Sequence, residues 1–64
     1  MANEDIRIMA KEKGVKLWEL AEVLGINDGN FSRKLRKELS NFEKEHIFRA
    51  IEKMYEYKQS RIEN

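Results

Sequence analysis

Apolar side chains recur along this chain at intervals of three and four, the repeat of a helix with one face against a core. Ile6, Met9 and Ala10, continued by Lys13, mark one such stretch. Leu17, Leu20, Ala21 and Leu24 mark a second, Phe31 and Leu35 a third, and Ile47, Ala50, Ile51 and Met54 a fourth. The residues between them punctuate. Asn3 suits an N-cap, with Glu4 and Asp5 following where a helix dipole favours acids. Gly14 and Gly25 suit C-terminal caps, and Asn27 suits the N-cap of the third helix. Ser40 followed by Glu43 is the signature of a capping box, and Glu45 with Arg49 makes a favourable i, i+4 pair beyond it. The pattern predicts an all-α chain with four helices near 4–13, 17–24, 28–37 and 41–60, the last one long. Its expected core is Ile6, Met9, Leu20, Leu24, Ile26, Phe31, Leu35, Ile47 and Ile51.

Length sharpens this picture. With 64 residues the chain is one domain, 1–64, and a domain of that size buries only about 60% of the surface its unfolded chain exposes. A content of 41% hydrophobic and 39% charged residues fits a thin helical core under a charged surface. Without cysteine there are no disulfides and no thiolate metal sites. No apolar run approaches the roughly 20 residues that span a bilayer, and no signal peptide is visible, so a cytoplasmic protein without a membrane partner is expected. The chain has no phosphate-binding glycine loop, no metal-ligand spacing and no nucleophile beside a base. No enzymatic activity, metal, cofactor or small-molecule ligand is therefore expected. The single histidine, His46, falls at a surface position of the fourth helix.

The net charge of +1 hides an uneven distribution. Residues 11 to 37 carry seven basic and four acidic side chains, a balance of +3, while the flanking segments are each slightly acidic. Four of the cations, Arg33, Lys34, Arg36 and Lys37, fall within five residues. A polyanion responds to such local sign, not to the total.

The most informative stretch is LWELAEVLGINDGNFSRKL, residues 17–35. Two helices there are joined by a few residues around Gly25, which can take a positive φ at no steric cost. Ala21 is small enough to let the helices approach, and Ile26 is an apolar plug beneath the turn. This is the pattern of a helix-turn-helix, a motif whose second helix enters the DNA major groove. The segment resembles the DNA-binding domain of the Cro/repressor-type, or Xre, helix-turn-helix family of phage and mobile-element regulators. Leu20-Ala21, Leu24-Gly25-Ile26, Asn27, Phe31-Ser32 and Arg33 carry the resemblance, which spans about residues 4 to 54. Lys34 departs from the family, which often has an apolar residue there, as does the single long helix after the motif.

The resemblance implies a transcriptional regulator that binds double-stranded DNA, with Asn27, Asp28, Gly29, Asn30, Ser32 and Arg33 against base edges. Their chemistry is suitable: Asn pairs with adenine, Arg with guanine, and Asp accepts from cytosine. Lys34, Arg36 and Lys37, with Lys13 and Lys16 before the second helix, would neutralise phosphates. Trp18, beside the core face, is expected to pack on the first or fourth helix rather than on DNA. A homodimer is expected, with Phe48, Met54, Tyr55 and Tyr57 as its candidate interface. The alternative is a protein-interaction module on the same fold, a small inhibitor or anti-repressor without DNA binding. Its supports are the near-neutral total charge and the acidic Asp28 at the leading position.

Overall fold

The first helix, α1 (Glu4–Glu12), starts from a left-handed turn at Asn3, φ 58°. Asparagine tolerates this conformation better than most residues do. Its carbonyl accepts the Arg7 N–H at 3.1 Å, as that of an N-cap residue does. Its side chain, however, makes no cap bond. It lies fully buried, extending the inward stripe of Ile6 and Ala10 by one turn. Asn3 is thus an interior residue, not the side-chain cap that the sequence suggests.

Two turns of the same kind bound the second helix, α2 (Leu17–Leu24). After α1, Gly14 takes φ 70°, its N–H bonds to Lys11 O at 3.1 Å, and the Val15 N–H bonds back to Ala10 O at 2.8 Å. After α2, Gly25 takes φ 73°, its N–H bonds to Glu22 O at 3.1 Å, and the Ile26 N–H bonds to Ala21 O at 2.9 Å. This paired pattern satisfies the last carbonyls of each helix and folds the following apolar residue inward. Val15 is buried accordingly, and Ile26 packs against the core. At the start of α2, the Glu19 carboxylate accepts the Lys16 N–H at 3.0 Å. A lysine side chain has no acceptor to return the bond, so only half of a capping box exists here.

The third helix, α3 (Asp28–Lys34), is shorter than the expected 28–37. Its start matches expectation: the Asn27 side chain accepts from Gly29 N at 2.9 Å and Asn30 N at 3.4 Å. The turn that follows it is held from outside. The buried Asn3 amide donates to Leu35 O at 2.9 Å and to Lys37 O at 2.8 Å, and its oxygen accepts the Leu39 N–H at 2.8 Å. The last turn tightens, with the Arg36 N–H bonding to Arg33 O at 3.2 Å, and the chain leaves the helical path after Lys34.

The computed structural model describes residues 1–63, with side chains described for 1–60. Among them, the fourth helix, α4 (Asn41–Glu63), is the longest, and no strand occurs. Ser40 caps it by accepting the Glu43 N–H at 3.2 Å. The Ser40 hydroxyl in turn donates to Glu43 Oε1 at 3.5 Å, while Glu43 Oε2 pairs with Lys34 Nζ at 2.8 Å. The Glu45–Arg49 pair forms as expected, at 2.8 Å.

Helix α4 packs on α1 and α2, and α3 packs on α2. The buried set is Ile6, Ala10, Val15, Leu20, Ala21, Phe31, Leu35, Ile47, Ala50 and Ile51. Met9, Leu24 and Ile26, also expected in the core, are partly buried and pack against it. Ala10, Val15, Ala21 and Ala50 are buried in their place. Polar ties close the margins. Lys44 pairs with Asp5 at 3.0 Å and with Glu38, and Lys58 Nζ donates to Gly14 O at 2.9 Å and to Glu19 at 3.0 Å. The Lys44 ammonium is held charged above its ordinary range by Glu38 and Asp5. No described helix is long and apolar enough to cross a membrane.

Candidate nucleic-acid interface

Helix α3 is seated by Phe31 and, just past its end, Leu35, each only 1% exposed. Successive residues of an α-helix turn by about 100°, so residues two before and two after Phe31 lie about 160° from it. Those residues are Gly29 and Arg33, and Asn30 and Ser32 flank them at about 100° on either side. All four are exposed, as are Asn27 and Asp28 at the helix start. The six residues expected to read bases thus occupy one accessible surface. Arg33 is at its crest, and a capped helix N-terminus lies at its leading end.

Gly29 has a second reason to be glycine. A Cβ there would sit 3.2 Å from the Asn27 Oδ1 that caps the helix. The absent side chain therefore keeps the cap intact as well as leaving the surface low.

The five expected phosphate contacts separate into two groups. Lys16, Arg36 and Lys37 are exposed and hold no ion pair among the described residues. Arg36 and Lys37 stand in the turn after α3, not on the helix, and the Lys37 carbonyl is one of the two held by Asn3. Lys34 and Lys13 are engaged. Lys34 ties the end of α3 to the start of α4 through Glu43, and its ammonium holds the Glu43 carboxyl below the usual range. Lys13 is half-buried with Nζ 4.5 Å from the centre of the Tyr55 ring, a cation–π contact.

The expected dimer residues do not form one free patch. Phe48 and Met54 are half-buried and pack against the core, and Tyr55 lies half-buried under Lys13. Tyr57 alone of the four is largely exposed, at 64%. Trp18 also departs from expectation: it is 53% exposed and only borders a cleft containing Met54 of α4. His46 is on the surface, as expected.

Sequence reasoning missed Asn3, which positions the basic turn, and Glu43, which neutralises one of its cations. A signal for Asn3 existed, since 3, 6 and 10 share a helix face. Nothing in the sequence separates Glu43 as a capping acid from Glu43 as the partner of Lys34. Comparison of the chain with protein-family models, with curated proteins and with solved structures gives no match.

Proposed function

We propose that this chain is a sequence-specific double-stranded-DNA-binding transcriptional regulator that reads the major groove with α3. The observation that carries the proposal is the outward surface of α3, with Gly29 and Arg33 opposite the buried Phe31. A major groove about 12 Å wide admits such a helix, and an arginine at its crest can bond a guanine in bidentate fashion. The unpaired Lys16, Arg36 and Lys37 supply phosphate contacts, which fix orientation while base contacts choose the sequence.

The test uses a site selected from randomised duplexes together with a random duplex in the same buffer. Arg33→Ala is expected to weaken the selected site by about 1–3 kcal/mol and to relax preference at one position. Asp28→Asn removes a charge that meets phosphate repulsion yet accepts from a cytosine amino group. It is expected to tighten random duplex while narrowing the gap to the selected site. Equal responses of both duplexes to each change would contradict base reading by α3.

A second reading, a protein-interaction module without DNA binding, is favoured by one observation. The Lys34–Glu43 pair removes a cation from the cluster beside the acidic Asp28. Selection that enriches no sequence, with no binding to random duplex at low salt, would favour that reading.

A further inference from the structure

Between α1 and the start of α2 lies an open cleft of which the DNA-binding proposal uses only Lys16. Its floor is apolar: Ala10 and Val15 are buried, and Leu17 packs against the core. Its rim carries three cations, Arg7, Lys11 and Lys16, and no acidic side chain lines it among the described residues. Arg7 and Lys11 stand about one turn apart on α1, and Lys16 lies beyond the turn at Gly14. None of the three holds an ion pair among the described residues. The Arg7 side chain donates one long bond, from Nε to Ala2 O at 3.4 Å. The acids of the two helices leave these cations uncompensated. Asp5 pairs with Lys44 and Glu19 with Lys58, while Glu4, Glu12 and Glu22 make no ion pair among the described residues.

We propose that this cleft receives an acidic segment of another protein, one that carries an apolar side chain between carboxylates. The occupant follows from two chemistries met in one place. Three uncompensated cations make a local positive field that draws an anion. The apolar floor gains from covering by hydrocarbon. A DNA backbone supplies the charge but no hydrocarbon for the floor. A purely apolar segment covers the floor but leaves the three cations without counter-charge. An acidic segment with an apolar anchor answers both, and the planar Arg7 guanidinium can hold one carboxylate in bidentate fashion. Because Lys16 is also a proposed phosphate contact, the acidic segment and DNA compete for it, and docking lowers DNA affinity. The docking itself does not rest on the DNA-binding proposal, and either can fail without the other.

Selection of short random peptides against the 64-residue chain, without DNA, tests it. Enriched peptides are expected to share an apolar residue flanked by Asp or Glu. A fluorescently labelled synthetic copy of the leading peptide is then the probe for titration. Arg7→Glu and Lys11→Glu are each expected to weaken its binding by at least about tenfold, because each sets a like charge against the carboxylates. Replacing the apolar residue of the probe with Ser should weaken it by about tenfold as well. Lys53→Glu makes the same charge change at an exposed position of α4 and should alter binding by less than about threefold. Lys11 is exposed, so its variant keeps the test sound if the half-buried Arg7 proves needed for folding, which circular dichroism checks. Three outcomes would overturn the proposal. One is a selection that enriches nothing, or only sequences without acids. The second is a probe indifferent to Lys11→Glu, or weakened equally by Lys53→Glu. The third is no acidic enrichment together with weaker random-duplex binding by Lys11→Glu, which would give the cleft to phosphate.

Discussion

The Asn3 side chain accepts the Leu39 N–H at 2.8 Å across 36 positions of sequence. With its two donated bonds, to Leu35 O and Lys37 O, it holds both sides of the turn that carries Arg36 and Lys37. The Asn3 backbone N–H adds a bond to Glu38 Oε1 at 2.8 Å. The beginning of the chain thus fixes the basic turn behind the proposed reading helix.

Asn3→Ala leaves two carbonyls and one N–H of that turn without this partner. Leaving buried polar groups unsatisfied costs about 1–3 kcal/mol each, reduced where water can enter. A loss of about 2–4 kcal/mol is expected, a large share of the stability of so small a domain. Urea denaturation measures it. Asn3→Asp should also destabilise, since it keeps the acceptor, loses both donors and buries a charge. A loss below about 0.5 kcal/mol in the alanine variant would show that the tether carries little energy.

Glu43 sets how much charge the proposed DNA face presents. Glu43→Gln removes the charge that pairs with Lys34 while leaving the Ser40 cap, which bonds to the Glu43 backbone. Lys34 becomes available to phosphate. Affinity for random duplex is expected to rise, and the slope of log K against log salt should steepen by about one. Stability should change by less than about 1 kcal/mol, because the pair is solvent-exposed. Unchanged affinity and slope would place Lys34 away from the DNA.

Four carboxyls are held below their ordinary range: Asp5 by Lys44, Glu19 by the Lys16 N–H and then Lys58, Glu38 by the Asn3 N–H and then Lys44, and Glu43 by Lys34. The unfolded chain regains ordinary carboxyls, so it takes up protons first as pH falls. The stability these groups contribute is therefore present above the ordinary carboxylate range and is lost as pH drops through the lowered folded values. Urea midpoints should stay level from pH 7 to about 5 and decline below about 4. A midpoint that rises on acidification would contradict the assigned pairs.

The fold was largely legible because its signals are local. Helical spacing, the two glycine turns and the Asn27 cap each depend on residues within five positions of one another. What escaped notice depends on distant contacts. The helical pattern running to Lys37 overstates α3, and the turn that follows it is held by Asn3, more than 30 residues away. Ser40 and Glu43 fit a capping box in sequence, but nothing local shows that the Glu43 carboxylate also meets Lys34. Lys13 and Tyr55 looked like separate surface residues, one for phosphate and one for a partner, yet they cover each other. Val15 could have been recognised, since it follows Gly14 as Ile26 follows Gly25. On α3 the exposed positions were legible from Phe31 alone, because one anchored residue fixes the direction of the rest.

Binding of random-sequence duplex across a salt series tests the central claim most directly, with fluorescence anisotropy as the readout. Lys16, Arg36 and Lys37 are exposed and hold no ion pair among the described residues, so about three phosphates should be neutralised per subunit. Affinity should fall linearly on a log–log plot with a slope of about −3 per subunit. Lys37→Ala should flatten that slope by about one without altering which sequence is preferred. No binding at low salt, or binding indifferent to salt, would contradict a DNA-reading role for this chain.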